Sequence, residues 1–224
     1  MSFGDKKLSE IAVSVPGSTS LLREYDLDFC CGGSDTLSNA AAEKGLNLAE
    51  IETRLTELQN SKAENPEEYW VNATYPEIID HILVRYHQRH REQLQELIVL
   101  ADRVESVHGD RDDCPIGVAA ELRNVYEDLS NHMMKEEHVL FPMIKAGNYM
   151  MAQMPIRMME MEHAEHGEHL DVLKSLTNNM TPPADACNTW RALYSGIQEF
   201  ADDLMMHIHR ENNVLFPRVI AENH

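Results

Sequence analysis

The stretch DLSNHMMKEEHVLFP, residues 128–142, returns 75 residues later as DLMMHIHRENNVLFP, residues 203–217. Asp128, His132, Glu136 and Pro142 answer to Asp203, His207, Glu211 and Pro217, with Leu and Val-Leu-Phe matched between them. Upstream of each copy lies a second matched pair. His87-x-x-His90-x-Glu92-x-Leu94 recurs at an offset of 76 as His163-x-x-His166-x-Glu168-x-Leu170. The chain therefore holds two helical hairpins built on one template.

The spacing fixes which side chains share a face. Val125, Leu129, His132, Glu136, Val139 and Met143 step by fours and threes, the inward stripe of a helix in a bundle. Leu193, Ile197, Phe200, Leu204, His207, Glu211 and Val214 repeat that register. His87 sits among Ile79, Leu83, Leu94 and Ile98, and His163 among Ile156, Met159, Leu170 and Leu173. The periodicity predicts four long helices, at about 75–107, 116–141, 156–177 and 184–216, with Thr74 as an N-cap. Pro142 and Pro217 are expected to kink or end the second and fourth. Strand signals are absent, so the fold class is all-α: a four-helix bundle over 74–224, preceded by a small helical domain over 1–60. Residues 61–73 join the two and read as a linker. In the small domain Leu8, Ile11, Ala12 and Val15 recur at helical spacing, as do Leu46, Leu48, Ile51, Leu55 and Leu58.

Four imidazoles and two carboxylates thus point into one apolar core. Buried carboxylates cost several kcal/mol unless paired or metal-bound. A His and a Glu four residues apart reach one centre from one helix face. Mixed imidazole and carboxylate donors suit iron or manganese better than structural zinc. If Glu136 and Glu211 each bridge two ions, each ion gains two His and two carboxylate oxygens. That leaves room for a bridging oxide or hydroxide and an open position. Two Glu offset half the charge of a diferrous pair, so iron is held less tightly than in a four-carboxylate site. His81, His90, His138, His166, His169 and His209 read as a solvated face, and the methionine pairs at 133–134, 158–159 and 205–206 as adaptable filler. Asp128 and Asp203, one turn before His132 and His207, are candidates to fix the tautomers of those rings.

The order His, His-x-x-x-Glu, His, His-x-x-x-Glu resembles the hemerythrin-like bundles. Together with the segment YDLDFCCGG, residues 25–33, it closely resembles the repair-of-iron-centres di-iron proteins. The resemblance covers nearly the whole chain. It implies a non-haem di-iron centre, carboxylate- and oxo- or hydroxo-bridged, with His87, His132, His163 and His207 as terminal ligands and Glu136 and Glu211 as bridges. It implies repair of iron–sulfur clusters damaged by nitric oxide or oxidants, iron–sulfur proteins as clients, and a homodimer. Oxygen-carrying hemerythrins use five His and an Asp; no fifth His completes that pattern here. Two alternatives use the same six ligands: a reductase of nitric oxide or peroxide, and a sensor or store of O2 or nitric oxide.

Cys30 and Cys31 are neighbours, with Cα atoms about 3.8 Å apart across a trans peptide, below the usual disulfide minimum of about 4.4 Å. The pair suits transient binding of a soft metal, nitric oxide or a partner's thiol, beside Gly32 and Gly33 that admit a close approach. A delivery protein needs such a pair, to hand iron on or dock the target; a gas carrier does not. Cys114 and Cys187 read as incidental. The formal charge of −19, from 19 basic and 38 acidic residues in 224, argues against nucleic acid and anionic membranes as partners. The polar start, Met1 to Glu10, has no signal-peptide core, so the expected location is the cytoplasm.

Overall fold

The structure, a computed structural model, describes residues 2–61 and 64–222. Residues 62–63 of the expected linker lie outside them. The regular structure among the described residues is helical, with an isolated β-bridge between Lys7 and Thr36. By their packing they divide into two compact units. One gathers the chain up to Ile78 with the segment from Met206 onward; the other runs from Ile79 to Met205.

The first unit opens with α1 (Leu8–Ser14), α2 (Ser18–Glu24), α3 (Leu37–Glu43) and α4 (Leu48–Asn60). Their apolar stripes close a small core of Leu8, Ile11, Leu22, Leu37, Ile51 and Leu55, with Leu27 and Phe29 from the loop between α2 and α3. Thr36 and Asn47 cap α3 and α4 by accepting from the backbone N–H of Asn39 and Glu50. The polar stretch after α4 is itself helical over α5 (Pro66–Asn72), with Asn65 as cap and Pro66 in the first turn. Thr74 then opens α6 (Tyr75–His81) through a reciprocal cap with Glu77.

Four long rods follow. After α6 comes a π turn, Ile82–His87, and α7 (Gln88–His108). Next are α8 (Val118–Lys135), a π turn at Glu136–Leu140 and α9 (Phe141–Lys145). An unbroken α10 (Tyr149–Leu176) precedes the last rod, α11 (Asn188–His209), a π turn at Arg210–Leu215 and α12 (Phe216–Ala221). In the second unit α8 packs on α7 and α10. Gly196 brings α11 against α7, where a Cβ would meet Leu97 Cδ2 at 2.6 Å.

At the two prolines expected to kink or end their rods, the structure excludes the end. Neither Pro142 nor Pro217 ends its rod. Each sits one residue inside a new helix, directly after a π turn, where the widened turn takes up the missing N–H and the ring's bulk. Helix α10 starts at Tyr149 rather than near Ile156 and carries Pro155 inside it. The π turns also shift the register. On the second rod Val139 is 44% exposed and Leu140 1%, so the buried stripe passes from Glu136 to Leu140 and Ile144.

No helix among the described residues is long and apolar enough to cross a membrane.

Candidate metal centre

In the second unit, π turns and rods bring four of the expected donors together. His87 closes the first π turn and Glu136 opens the second; His132 lies one turn before Glu136 on α8, and His163 is central on α10. All four are buried. Glu136 Oε2 lies 3.3 Å from His87 Nε2 and 3.4 Å from His132 Nε2. His163 Nε2 is 3.1 Å from His132 Nε2. Phe141 stacks on His87 with centroids 5.8 Å apart, closing the apolar wall on that side.

The outer nitrogens decide the tautomers. His87 Nδ1 faces Glu137 at 2.8 Å, and His132 Nδ1 faces Glu162 at 3.0 Å. The bond from His87, then that from Arg91, hold Glu137 at a pKa of about 2 against the opposing effect of burial. His132 and then Lys135 do the same for Glu162, also to about 2. An ionised carboxylate only accepts, so each Nδ1 carries the proton and donates. In the neutral imidazole Nε2 is then a bare lone pair. Two such lone pairs facing a buried carboxylate are acceptors facing an acceptor. A cation among them could take all three as ligands, so this donor set fits metal binding, and its mixed imidazole–carboxylate chemistry fits iron.

In the first unit, His207 and Glu211 stand one helical turn apart at the junction of α11 and the third π turn. Both are buried, with Nε2 and Oε1 3.4 Å apart. The same π turn supplies Asn212 and Asn213, whose side-chain amides donate to the carbonyls of Cys30 at 3.0 Å and Phe29 at 2.8 Å. Cys30 is buried and Cys31 half-buried.

Residues 78–219 match the hemerythrin HHE cation-binding domain, and residues 4–59 match ScdA_N, a domain of unknown function (DUF542). A probable iron-sulfur cluster repair protein of Haemophilus influenzae is 68% identical over 222 residues, spanning 99% of this chain and 100% of its own. Iron-sulfur cluster repair proteins YtfE of Musicola paradisiaca and Escherichia coli O8 are each 54% identical, over 98% and 99% of both chains respectively. This chain belongs to the iron–sulfur cluster repair protein family.

Within that family frame, several readings of the sequence need correcting. Asp128 does not serve His132: it pairs with His169 Nε2 at 3.0 Å, while His132 Nδ1 is taken by Glu162 from α10. Asp203 pairs with Arg85, at 2.6 and 2.9 Å. Three histidines read as solvated, His90, His166 and His209, are buried. His90 and His166 follow His87 and His163 by three residues, and the buried stripes run 87, 90, 94, 97 and 159, 163, 166, 170. His166 meets His132 edge-on at 4.9 Å. The matched pair was visible in the repeat; counting the heptad onward from His87 and His163 would have found it. Of two methionine pairs, Met133 and Met159 pack inward while Met134 and Met158 face out.

Proposed function

We propose that this protein repairs damaged iron–sulfur clusters by supplying iron from a di-iron centre held by His87, His132, Glu136, His163, His207 and Glu211. The observation that carries the reading is the arrangement at Glu136. A buried carboxylate faces two imidazoles whose tautomers are set, by Glu137 and Glu162, to present lone pairs rather than protons. In the duplicated sequence His207 and Glu211 are the counterparts of His132 and Glu136, and they supply the second half of the donor set. The names and near-complete coverage of the relatives support the same reading.

When bound, iron supplies redox activity and an exchangeable cargo. The chain's own residues do the rest. Four neutral imidazoles and two carboxylates carry only two negative charges, so they hold ferrous iron while leaving its release feasible. Glu137 and Glu162 hold the Nδ1 protons, so His87 and His132 present Nε2 toward the centre. Phe141 keeps bulk water off the His87 ring. The acidic surface is in keeping with a chain that stays dispersed in the cytoplasm and meets client proteins there.

The test is iron content and the Mössbauer spectrum of protein purified without air, repeated after mixing with an apo iron–sulfur protein. The reading requires about two irons per chain, falling as the client gains its cluster, and loss of recovery in His132→Ala and Glu211→Gln. Iron that stays in place while nitric oxide or peroxide is consumed would make the protein a reductase instead. Recovery that survives both substitutions would exclude the centre from the activity.

A further inference from the structure

The loop from Asp28 to Gly33 is built around one carboxylate. Asp28 Oδ1 accepts from the backbone N–H of Cys30 and of Cys31, both at 2.9 Å, and Oδ2 accepts from that of Gly32 at 2.8 Å. Gly33 lets the chain fold back on itself, since a Cβ there would collide with the Phe29 carbonyl oxygen. Asn212 and Asn213 hold the loop's carbonyls from the other side. The two cysteines are therefore held in place rather than carried on a slack tether.

In that frame the two Sγ atoms lie 3.8 Å apart, and Asp28 Oδ1 lies 3.2 Å from Cys30 Sγ. All three donors fall within 4.8 Å of one another. A disulfide would need the sulfurs at about 2.05 Å. Two thiolates at about 2.3 Å from one tetrahedral ion lie about 3.8 Å apart, which is the separation found.

We propose that Asp28, Cys30 and Cys31 form a second cation site with its own donor set, taking a thiophilic divalent ion such as Zn2+ or Fe2+. Binding forms two metal–sulfur bonds and one metal–oxygen bond, and releases the two thiol protons to solvent; no electron moves. Three protein donors leave one tetrahedral position open, and Asp28 is exposed while Cys31 is half-exposed. Structural zinc sites close all four positions, so an open one marks a site of exchange. The proposed repair function gives that exchange a use, but cation binding here does not rest on it.

The test uses the full chain with Cys114→Ser and Cys187→Ser, loaded with iron and then titrated with Co2+. Sulfur-to-cobalt charge-transfer absorption should grow in to a single Co2+ per chain with iron content unchanged. It should vanish in Cys30→Ser and in Cys31→Ser, and the affinity should fall about tenfold or more in Asp28→Asn. Absence of the band in the parent, or its survival in either serine variant, would overturn the site; full affinity in Asp28→Asn would overturn the three-donor form of it. A second measurement needs no cysteine change in the loop: Zn2+ should protect Cys30 and Cys31 from alkylation, read by mass spectrometry. Unchanged labelling with Zn2+ present would reject the proposal independently.

Discussion

Glu162 accepts a hydrogen bond from Nδ1 of His132 at 3.0 Å, from a position 30 residues along the chain and on a different helix. Lys135 holds the other carboxylate oxygen at 2.6 Å. Such anchors set the tautomer and orientation of a ligating ring, and their loss weakens metal affinity by about 10–100-fold. Glu162→Leu should therefore loosen iron by that factor in a chelator competition, and Glu137→Leu should do so through His87. Asp128→Asn should leave iron affinity unchanged. An Asp128→Asn loss as large as that of Glu162→Leu would mean that the outer carboxylates do not act through these rings.

His169 donates from Nδ1 to Glu121 at 2.6 Å and from Nε2 to Asp128 at 3.0 Å, tying α10 to α8. Only the imidazolium can donate from both nitrogens. Burial works against the charged ring, but Glu121 and then Asp128 outweigh it and raise the pKa above 6.5. Because the folded value is the higher one, the stabilisation is full below about 6.5 and fades as pH rises through the folded value. His169→Gln should lower stability by about 1 kcal/mol at pH 6 and by almost nothing at pH 9, read from urea midpoints at both. An equal loss at both values would mean the ring acts by packing alone.

The π turn at Glu136–Leu140 makes opposite predictions for two adjacent residues. A regular heptad puts Val139 inward, whereas the structure puts Leu140 there. Leu140→Ala should cost about 2–5 kcal/mol, the range for emptying a buried leucine site. Val139→Ala should stay within about 0.5 kcal/mol, as exposed changes do. Thermal or urea unfolding of the two variants decides between the registers.

The same pair shows what was legible in the chain. The all-helical class, the rods and the inward direction of His132 and Glu136 follow from apolar periodicity, and the duplication strengthens each. The slip from Val139 to Leu140 does not, because one wide turn adds a residue without changing composition. The anchors Glu137 and Glu162 were also out of reach. Spacing relates residues on one helix, which is why it offered Asp128, whereas these carboxylates meet their rings across helices. The helix at Pro66–Asn72 was hidden by its polar composition, since what it buries is a charge rather than an apolar stripe.

That charge is Glu67, and it carries the strongest stability prediction in the first unit. Arg210, itself buried, reaches Glu67 with both terminal nitrogens, at 2.5 and 3.0 Å, and lies over the Trp70 ring at 4.8 Å. His209 Nε2 is 3.4 Å from the same carboxylate. Burial alone would raise the Glu67 pKa, but His209 and Arg210 hold it at about 2. The folded value lies below the ordinary 4.5, so this stabilisation is complete above about pH 4.5 and is lost as pH falls toward 2. Burial pushes the His209 pKa below the ordinary 6.5, so the unfolded chain takes up that proton first and stability begins to fade once pH drops below about 6.5. Glu67→Ala should destabilise by about 3–5 kcal/mol at pH 7, because it strands the Arg210 charge in the interior. The variant's deficit should shrink between pH 4.5 and pH 2, where the parent's carboxylate takes up its proton. A deficit that stays constant down to pH 2 would show that Glu67 holds α5 by shape and not by charge.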